Sequence, residues 1–125
     1  MTTRALGAYC ASRTAAVKDH PWGASPAAFK VGGPDGPLFA ILSLETDPAQ
    51  ISLKCDPDLA EALRRAHPAV VPGYHLNKRH WITIALGGDL PADEIEELIA
   101  DSHALVARGL PRAVRATLPD RAGWS

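Results

Sequence analysis

Apolar and polar residues alternate along the middle of the chain with a period of two, which is typical of strands with one buried face. From Phe29 onward this alternation leads into the nearly continuous apolar run LFAILSL, and it resumes at Ile51, Leu53 and Cys55. The segments GGPDG and ETDPA lie between these runs and carry the glycine, proline and aspartate residues that favour turns. We therefore expect a three-stranded antiparallel meander that begins at Phe29.

Helical spacing of apolar residues predicts three helices around this meander. A short first helix is expected within TTRALGAYCASRTAAV, with Thr2 or Thr3 as its N-cap. The second helix has the clearest start, since Asp56 suits the N-cap position and Pro57 the first helical position. The third helix is expected within LPADEIEELIADSHALVARGL. The predicted buried positions are Leu59, Ala62, Leu63 and Ala66 in the second helix, and Ile95, Leu98, Ile99, Leu105 and Val106 in the third.

One or two strands are expected between the second and third helices, and the run HWITIAL predicts one of them. In this strand Ile82 and Ile84 point one way and Trp81 points the other. The segment KDHPWGASPAAF contains two prolines and a glycine, so we expect a loop in which Trp22 packs on the domain. The tail is expected to add one short helical turn and then to fray over residues 118–125.

This order of elements indicates a single α+β domain spanning residues 1–125, in which helices cover one face of an antiparallel sheet. The chain has 13 Lys and Arg residues against 14 Asp and Glu residues, a formal net charge of -1. Because nucleic-acid-binding domains usually carry a strong basic excess, any basic surface here must be a local patch. We expect a cytoplasmic protein, since we find neither a signal peptide nor an apolar run long enough to span a bilayer.

A family resemblance adds to this interpretation. The segments FKVGG, LFAILSLE, ISLKCDPDLAEALR, PGYHLNKRHWITIAL and LPADEIEELIADSHALV occur in an order and spacing that resembles the MmcQ/YjbR family. The resemblance extends from the first helix to Leu118, and ISLKC and HLNKRHW are its most distinctive parts. It implies a fold similar to the frataxin-like CyaY proteins, described as a double-wing arrangement whose β-hairpin wings are proposed to lie against DNA. It therefore implies a DNA-binding role and provides no catalytic motif.

The stretch from Gly73 to Thr83, together with two lysines on the strands, contains the candidate site. Lys30 and Lys54 are expected on the open face of the sheet, with Lys78 and Arg79 at its edge, forming a basic platform that contacts phosphate. Further residues expected to position the loop or to touch bases are His75, Asn77, His80 and Trp81. The turn GGPDGP is longer than the family's GGK and lacks one basic residue at that hairpin tip.

Each of these residues also has a purely structural interpretation. Lys54 is also compatible with an ordinary solvated position, and Trp81 with the core, although the alternation places Trp81 opposite Ile82 and Ile84. Asn77 tolerates left-handed backbone angles and bonds its own main chain, so LNKR is equally compatible with a polar reversal. The alternative function is a small interaction module that binds a protein partner or an anionic metabolite through the same face, which the near-zero net charge favours.

Catalytic and metal chemistry find little support in the sequence. His75 and His80 are an incomplete ligand set for zinc, and the first helix lacks the carboxylates that an iron site would need. Cys55 and Ser52 have no identifiable base beside them, and we expect Cys55, like Cys10, to be a buried free thiol. The sequence therefore predicts no enzyme, no metal and no cofactor.

Overall fold

The computed structural model describes residues 3–73 and 76–116, and within these ranges the chain forms one six-stranded antiparallel sheet with helices packed against it. The sheet order is β1-β2-β3-β4-β6-β5. The strands are β1 Ala16–Asp19, β2 Ala27–Val31, β3 Leu38–Ser43, β4 Gln50–Lys54, β5 Val70–Pro72 and β6 Trp81–Ala85. The helices are α1 Thr3–Ala11, α2 Pro57–Ala66, α3 Ala92–Arg108 and α4 Arg112–Arg115. This architecture confirms the predicted α+β class.

The predicted meander corresponds to β2, β3 and β4, and its alternation is confirmed. Ala40 lies opposite Leu53 and Ile41 lies opposite Ser52 in the β3–β4 pair, so the odd-numbered residues of β4 share one face. On that face Ile51 and Leu53 are fully buried beneath the helices. The even-numbered residues of β4 therefore lie on the opposite side of the sheet, which we call the open face.

The sequence-based assignment missed strand β1. We expected helix and then loop across this region, whereas α1 ends at Ala11 and Ala16–Asp19 pairs antiparallel with β2. Between them Ala15 adopts a positive φ of 57, a left-handed conformation that no helix continues through. A strand of four residues at the sheet edge is defined by its pairing with β2, and its own sequence shows too few alternations to reveal it.

Helix α2 begins as predicted but buries a different face. The Asp56 carboxylate accepts hydrogen bonds from the backbone N–H groups of Asp58 and Leu59, which confirms the N-cap. The expected apolar stripe is wrong, because Leu59 is 41% exposed and Ala60 is the buried residue. Ala62 and Ala66 are exposed as well, and Leu63 is half-buried. The reason is the short edge strand β5, which offers α2 only a small surface to pack on.

Helix α3 packs across β2, β3 and β4, and its predicted core positions are buried except Leu105, which is half-buried. Two polar residues of α3 are buried with them. The Ser102 hydroxyl donates to the Phe39 carbonyl at 2.6 Å and accepts from the Lys54 N–H at 2.9 Å. The His103 Nε2 lies 2.7 Å from the Thr14 carbonyl, and burial lowers the pKa of this imidazole. These contacts hold α3 to the sheet and to the segment before β1.

The remaining predictions concern the cysteines, the tail and membrane spans. Cys10 and Cys55 are buried free thiols, as expected, and burial raises the pKa of Cys10 to about 12 and of Cys55 to about 11. Helix α4 is the expected short turn, whereas residues 118–125 lie outside the described residues. In the part of the chain described, no helix is both long and apolar enough to cross a bilayer.

Candidate nucleic-acid interface

Lys54 and Trp81 are cross-strand neighbours at one end of the open face. They lie opposite each other in the β4–β6 pair, and the next pair toward the middle of the sheet on this face is Ser52 with Thr83. Lys54 is half-buried, and it also borders a depression of about 310 Å³ between α2 and α3. The Ser102 hydroxyl fixes the backbone N–H of Lys54. The lysine side chain therefore starts from a rigid point at the end of the sheet.

The turn before β6 places two further cations next to this point. The Asn77 side-chain oxygen accepts the Arg79 N–H at 3.0 Å, while its carbonyl accepts the N–H groups of His80 at 3.1 Å and Trp81 at 2.9 Å. The Cys55 N–H donates to the His80 carbonyl at 2.7 Å, which joins the turn to the end of β4. These bonds confirm Asn77 as the residue that forms the turn.

Lys78 and Arg79 occupy the tip of this turn and are exposed. Among the described residues, no carboxylate lies within 4.0 Å of the charged nitrogens of Lys54, Lys78 or Arg79; the ion pairs found involve other residues. Asp56 follows closely in sequence, and its carboxylate caps α2. We call the three residues Lys54, Lys78 and Arg79 the cationic end of the open face.

Lys30 shares the open face but does not add its charge to this end. Its ammonium lies 3.0 Å from the Asp19 carboxylate and 3.0 Å from the Pro34 carbonyl, and its side chain is only 18% exposed. The hydrogen bond from Lys30 lowers the pKa of Asp19, which keeps the carboxylate ionised and the pair intact. Lys30 therefore differs from the other three predicted cations, because a neighbouring acid already compensates it.

Of the two histidines in the candidate site, only His80 belongs to the described residues. His80 is exposed and its main chain belongs to the turn, whereas His75 lies outside the described residues. Over residues 3–73 and 76–116, no group of three or more His, Cys, Asp or Glu side chains is placed to hold a metal ion.

Trp81 lies on the open face, as the alternation predicts, and is half-buried there. Sequence reasoning missed the residue that supports it. Gly73 donates its N–H to the Trp81 carbonyl at 2.9 Å, and a Cβ on Gly73 would lie 2.6 Å from the Trp81 Cβ. Only glycine allows the two backbones to come this close, so Gly73 sets the position of Trp81. A glycine directly ahead of the polar stretch was the available signal.

The exposure of Trp22 differs from what we expected. We expected it to pack on the domain, yet 56% of its surface is exposed. It lines a groove of about 510 Å³ on the open face, together with strand residues such as Ile41 and Ser52. The open face thus carries an aromatic groove as well as a cationic end.

The chain is similar in sequence to a known protein family and to several known proteins. A family model described as YjbR matches residues 11–105. The "Uncharacterized protein YjbR" of Escherichia coli strain K12 is 38% identical over 121 residues, covering 94% of this chain and 98% of that protein. The "Uncharacterized protein YbdF" of Escherichia coli O157:H7 is 35% identical over 92 residues, covering 74% and 73%.

Solved structures show the same likeness in three dimensions. The crystal structure of Deinococcus radiodurans protein DR2400, with a domain named DUF419, matches with a TM-score of 0.87 and 38% identity, covering 99% of this chain and 94% of that one. The crystal structure of a Pseudomonas syringae protein matches with a TM-score of 0.73 and 32% identity, covering 85% and 99%. The family resemblance read from the sequence is therefore confirmed. This chain belongs to the YjbR family.

Proposed function

We propose that this protein binds DNA weakly, through phosphate contacts made by Lys54, Lys78 and Arg79. One observation supports this above the others: the three residues lie at one end of the sheet, and no described carboxylate lies within 4.0 Å of their charged nitrogens. Lys and Arg side chains that replace condensed counterions supply most of the affinity for a nucleic-acid backbone. In this proposal the protein is a cytoplasmic binder and carries out no catalytic step.

The turn formed by residues 77–80 serves as the contact, rather than the β2–β3 hairpin tip. The β2–β3 tip carries Asp35, and the nearby Lys30 is bound to Asp19 and to the Pro34 carbonyl. The 77–80 turn carries two exposed cations on a backbone held by Asn77. A fixed turn loses little backbone entropy when its side chains meet phosphate, which favours it as the contacting element.

The number of cations sets a measurable salt dependence. Three phosphate contacts give a slope of about −2.7 for log K against log salt on duplex DNA. Affinity should then fall about 40-fold between roughly 50 mM and 200 mM salt. With a net charge of -1 on the whole chain, little long-range attraction adds to this local term. The proposal therefore predicts weak and strongly salt-sensitive binding.

A fluorescence-anisotropy titration of a labelled DNA duplex at several salt concentrations tests the proposal. The wild-type protein should bind with a slope of about −2.7, and the double variant Lys78→Ala/Arg79→Ala with a slope of about −0.9. The matched control Arg4→Ala/Lys18→Ala also removes two cations, but from residues that line a depression beside α1, and should behave as wild type. Absence of binding at low salt, or equal losses in both double variants, would contradict the proposal.

A further inference from the structure

The groove beside Trp22 lies on the open face and plays no part in the phosphate contacts. Its volume of about 510 Å³ lies within the range of small-ligand sites, which is about 300–1,000 Å³. We call it the Trp22 groove. Its described lining residues are Trp22, Pro26, Ile41, Ser43, Thr46, Gln50, Ser52 and Leu76.

The lining has the composition of a site for a flat, uncharged and partly polar group. No described lining residue carries a charge, and Trp22 offers an exposed aromatic face beside the apolar Ile41. The Gln50 amide can both donate and accept hydrogen bonds. A nucleobase has these properties, since it stacks on aromatic rings and presents neutral donors and acceptors at its edge.

The groove and the cationic end are adjacent on the same strand. Ser52 lines the groove, and Lys54 is the next residue of β4 on the open face, so their main chains are separated by about 7 Å. A single nucleotide can span this separation between its base and its phosphate. The main chain of the cationic end therefore begins within one nucleotide's length of the groove.

We propose that the Trp22 groove takes one unpaired base of a single-stranded nucleic acid, whose adjoining phosphates meet Lys54, Lys78 and Arg79. This inference rests on the proposed function and narrows its ligand from DNA in general to a strand with unpaired bases. A base pair inside a duplex cannot enter a groove of this kind without leaving its stack. Single strands should therefore gain an interaction that duplexes lack.

Four ligands separate the base contact from the phosphate contact. They are a labelled single strand of about 12 nucleotides, an abasic strand of the same length, a duplex of that length and a free nucleoside monophosphate. Stacking of one base favours the single strand over the abasic strand by about five- to 150-fold, since each stacked base contributes about 1–3 kcal/mol. The free nucleotide should bind most weakly, because it lacks the neighbouring phosphates.

Variants of Trp22 test whether the groove causes the preference for the single strand over the abasic strand. Trp22→Ala should remove most of the preference for the single strand over the abasic strand, whereas Trp22→Phe keeps an aromatic ring and should retain most of it. Because Trp22 is largely exposed, both proteins should fold. Leu44→Ala truncates another large apolar residue, 53% exposed, which lines a separate depression and should change nothing.

Each result decides a different point. The groove inference is overturned by equal affinity for the single and abasic strands, or by a Trp22→Ala variant that keeps the preference for the single strand. If the slope of log K against log salt is retained in either case, the proposed phosphate contacts are not affected. A free nucleotide that binds as tightly as the strand makes the groove a metabolite site and overturns the strand proposal. If the protein binds none of the four ligands at low salt, both the inference and the proposed function are overturned.

Discussion

Ser102 joins the core to the cationic end, so its removal gives the sharpest test of the fold. Its side chain is fully buried, and its hydroxyl bridges the Phe39 carbonyl and the Lys54 N–H where the β3–β4 register ends. Ser102→Ala leaves the buried carbonyl unsatisfied, at a cost of about 1–3 kcal/mol, and removes a second hydrogen bond of about 0.5–1.5 kcal/mol. We expect the free energy of unfolding to fall by about 2–4 kcal/mol.

Urea unfolding followed by circular dichroism measures this change. The midpoint should fall while the slope against denaturant stays the same, because the variant exposes the same surface on unfolding. Ser12→Ala is the matched control, since the Ser12 hydroxyl donates to the Tyr9 carbonyl at 2.7 Å in an exposed setting. Water replaces that bond, so the control should lose less than about 0.5 kcal/mol.

A loss in Ser102→Ala no larger than in Ser12→Ala would refute the reasoning. It would mean that water or a local rearrangement satisfies the Phe39 carbonyl, and that α3 does not fix the end of β4. A changed slope against denaturant would point to an altered denatured or native state and would separate that explanation from the loss of the two bonds.

Three further predictions concern other parts of the fold. Gly73→Ala should destabilise the protein by about 1–3 kcal/mol in urea, because its Cβ would overlap Trp81, whereas Gly109→Ala meets only ordinary contacts; equal losses would contradict this. The pKa of His103 is lowered in the folded protein, so the unfolded chain binds a proton at a higher pH than the folded chain does. The free energy of unfolding should therefore fall by at most about 1.4 kcal/mol as the pH is lowered from about 7.5 to 5.5. The variant His103→Gln should lack this decrease. An identical pH dependence of the free energy of unfolding in the wild type and in His103→Gln would refute this contribution of His103. Both thiols are buried with a raised pKa, so a thiol reagent should label them slowly in the native protein and rapidly in urea; fast native labelling would count against their burial.

Local signals explain what the sequence predicts well. The N-cap at Asp56, the alternation in β4 and β6 and the turn at Asn77 depend on residues within a few positions of each other. Their hydrogen bonds and side-chain directions follow from backbone geometry that any short segment expresses. These features position Lys78, Arg79 and Trp81, so the main part of the cationic end could be derived from the sequence.

Non-local contacts explain what the sequence does not predict. Because β1 was missed, Asp19 was not recognised as the neighbour that compensates Lys30. The Ser102 bridge joins α3 to residues 48 and 63 positions away, and no local pattern indicates such a partner. The exposure of Trp22 likewise depends on which surfaces surround its loop. Pairings of this kind are set by the tertiary structure, which a single sequence does not reveal to pattern reasoning.

Amide chemical-shift mapping tests most directly whether Lys54, Lys78 and Arg79 form one phosphate-binding surface. A ¹⁵N-labelled sample is titrated with a short DNA duplex at low salt, and the shift of every assigned amide is followed. The largest changes should cluster at Lys54 and residues 78–81, and added salt should reverse them. Changes centred on α1 or spread evenly over the chain, or no changes at all, would contradict this prediction.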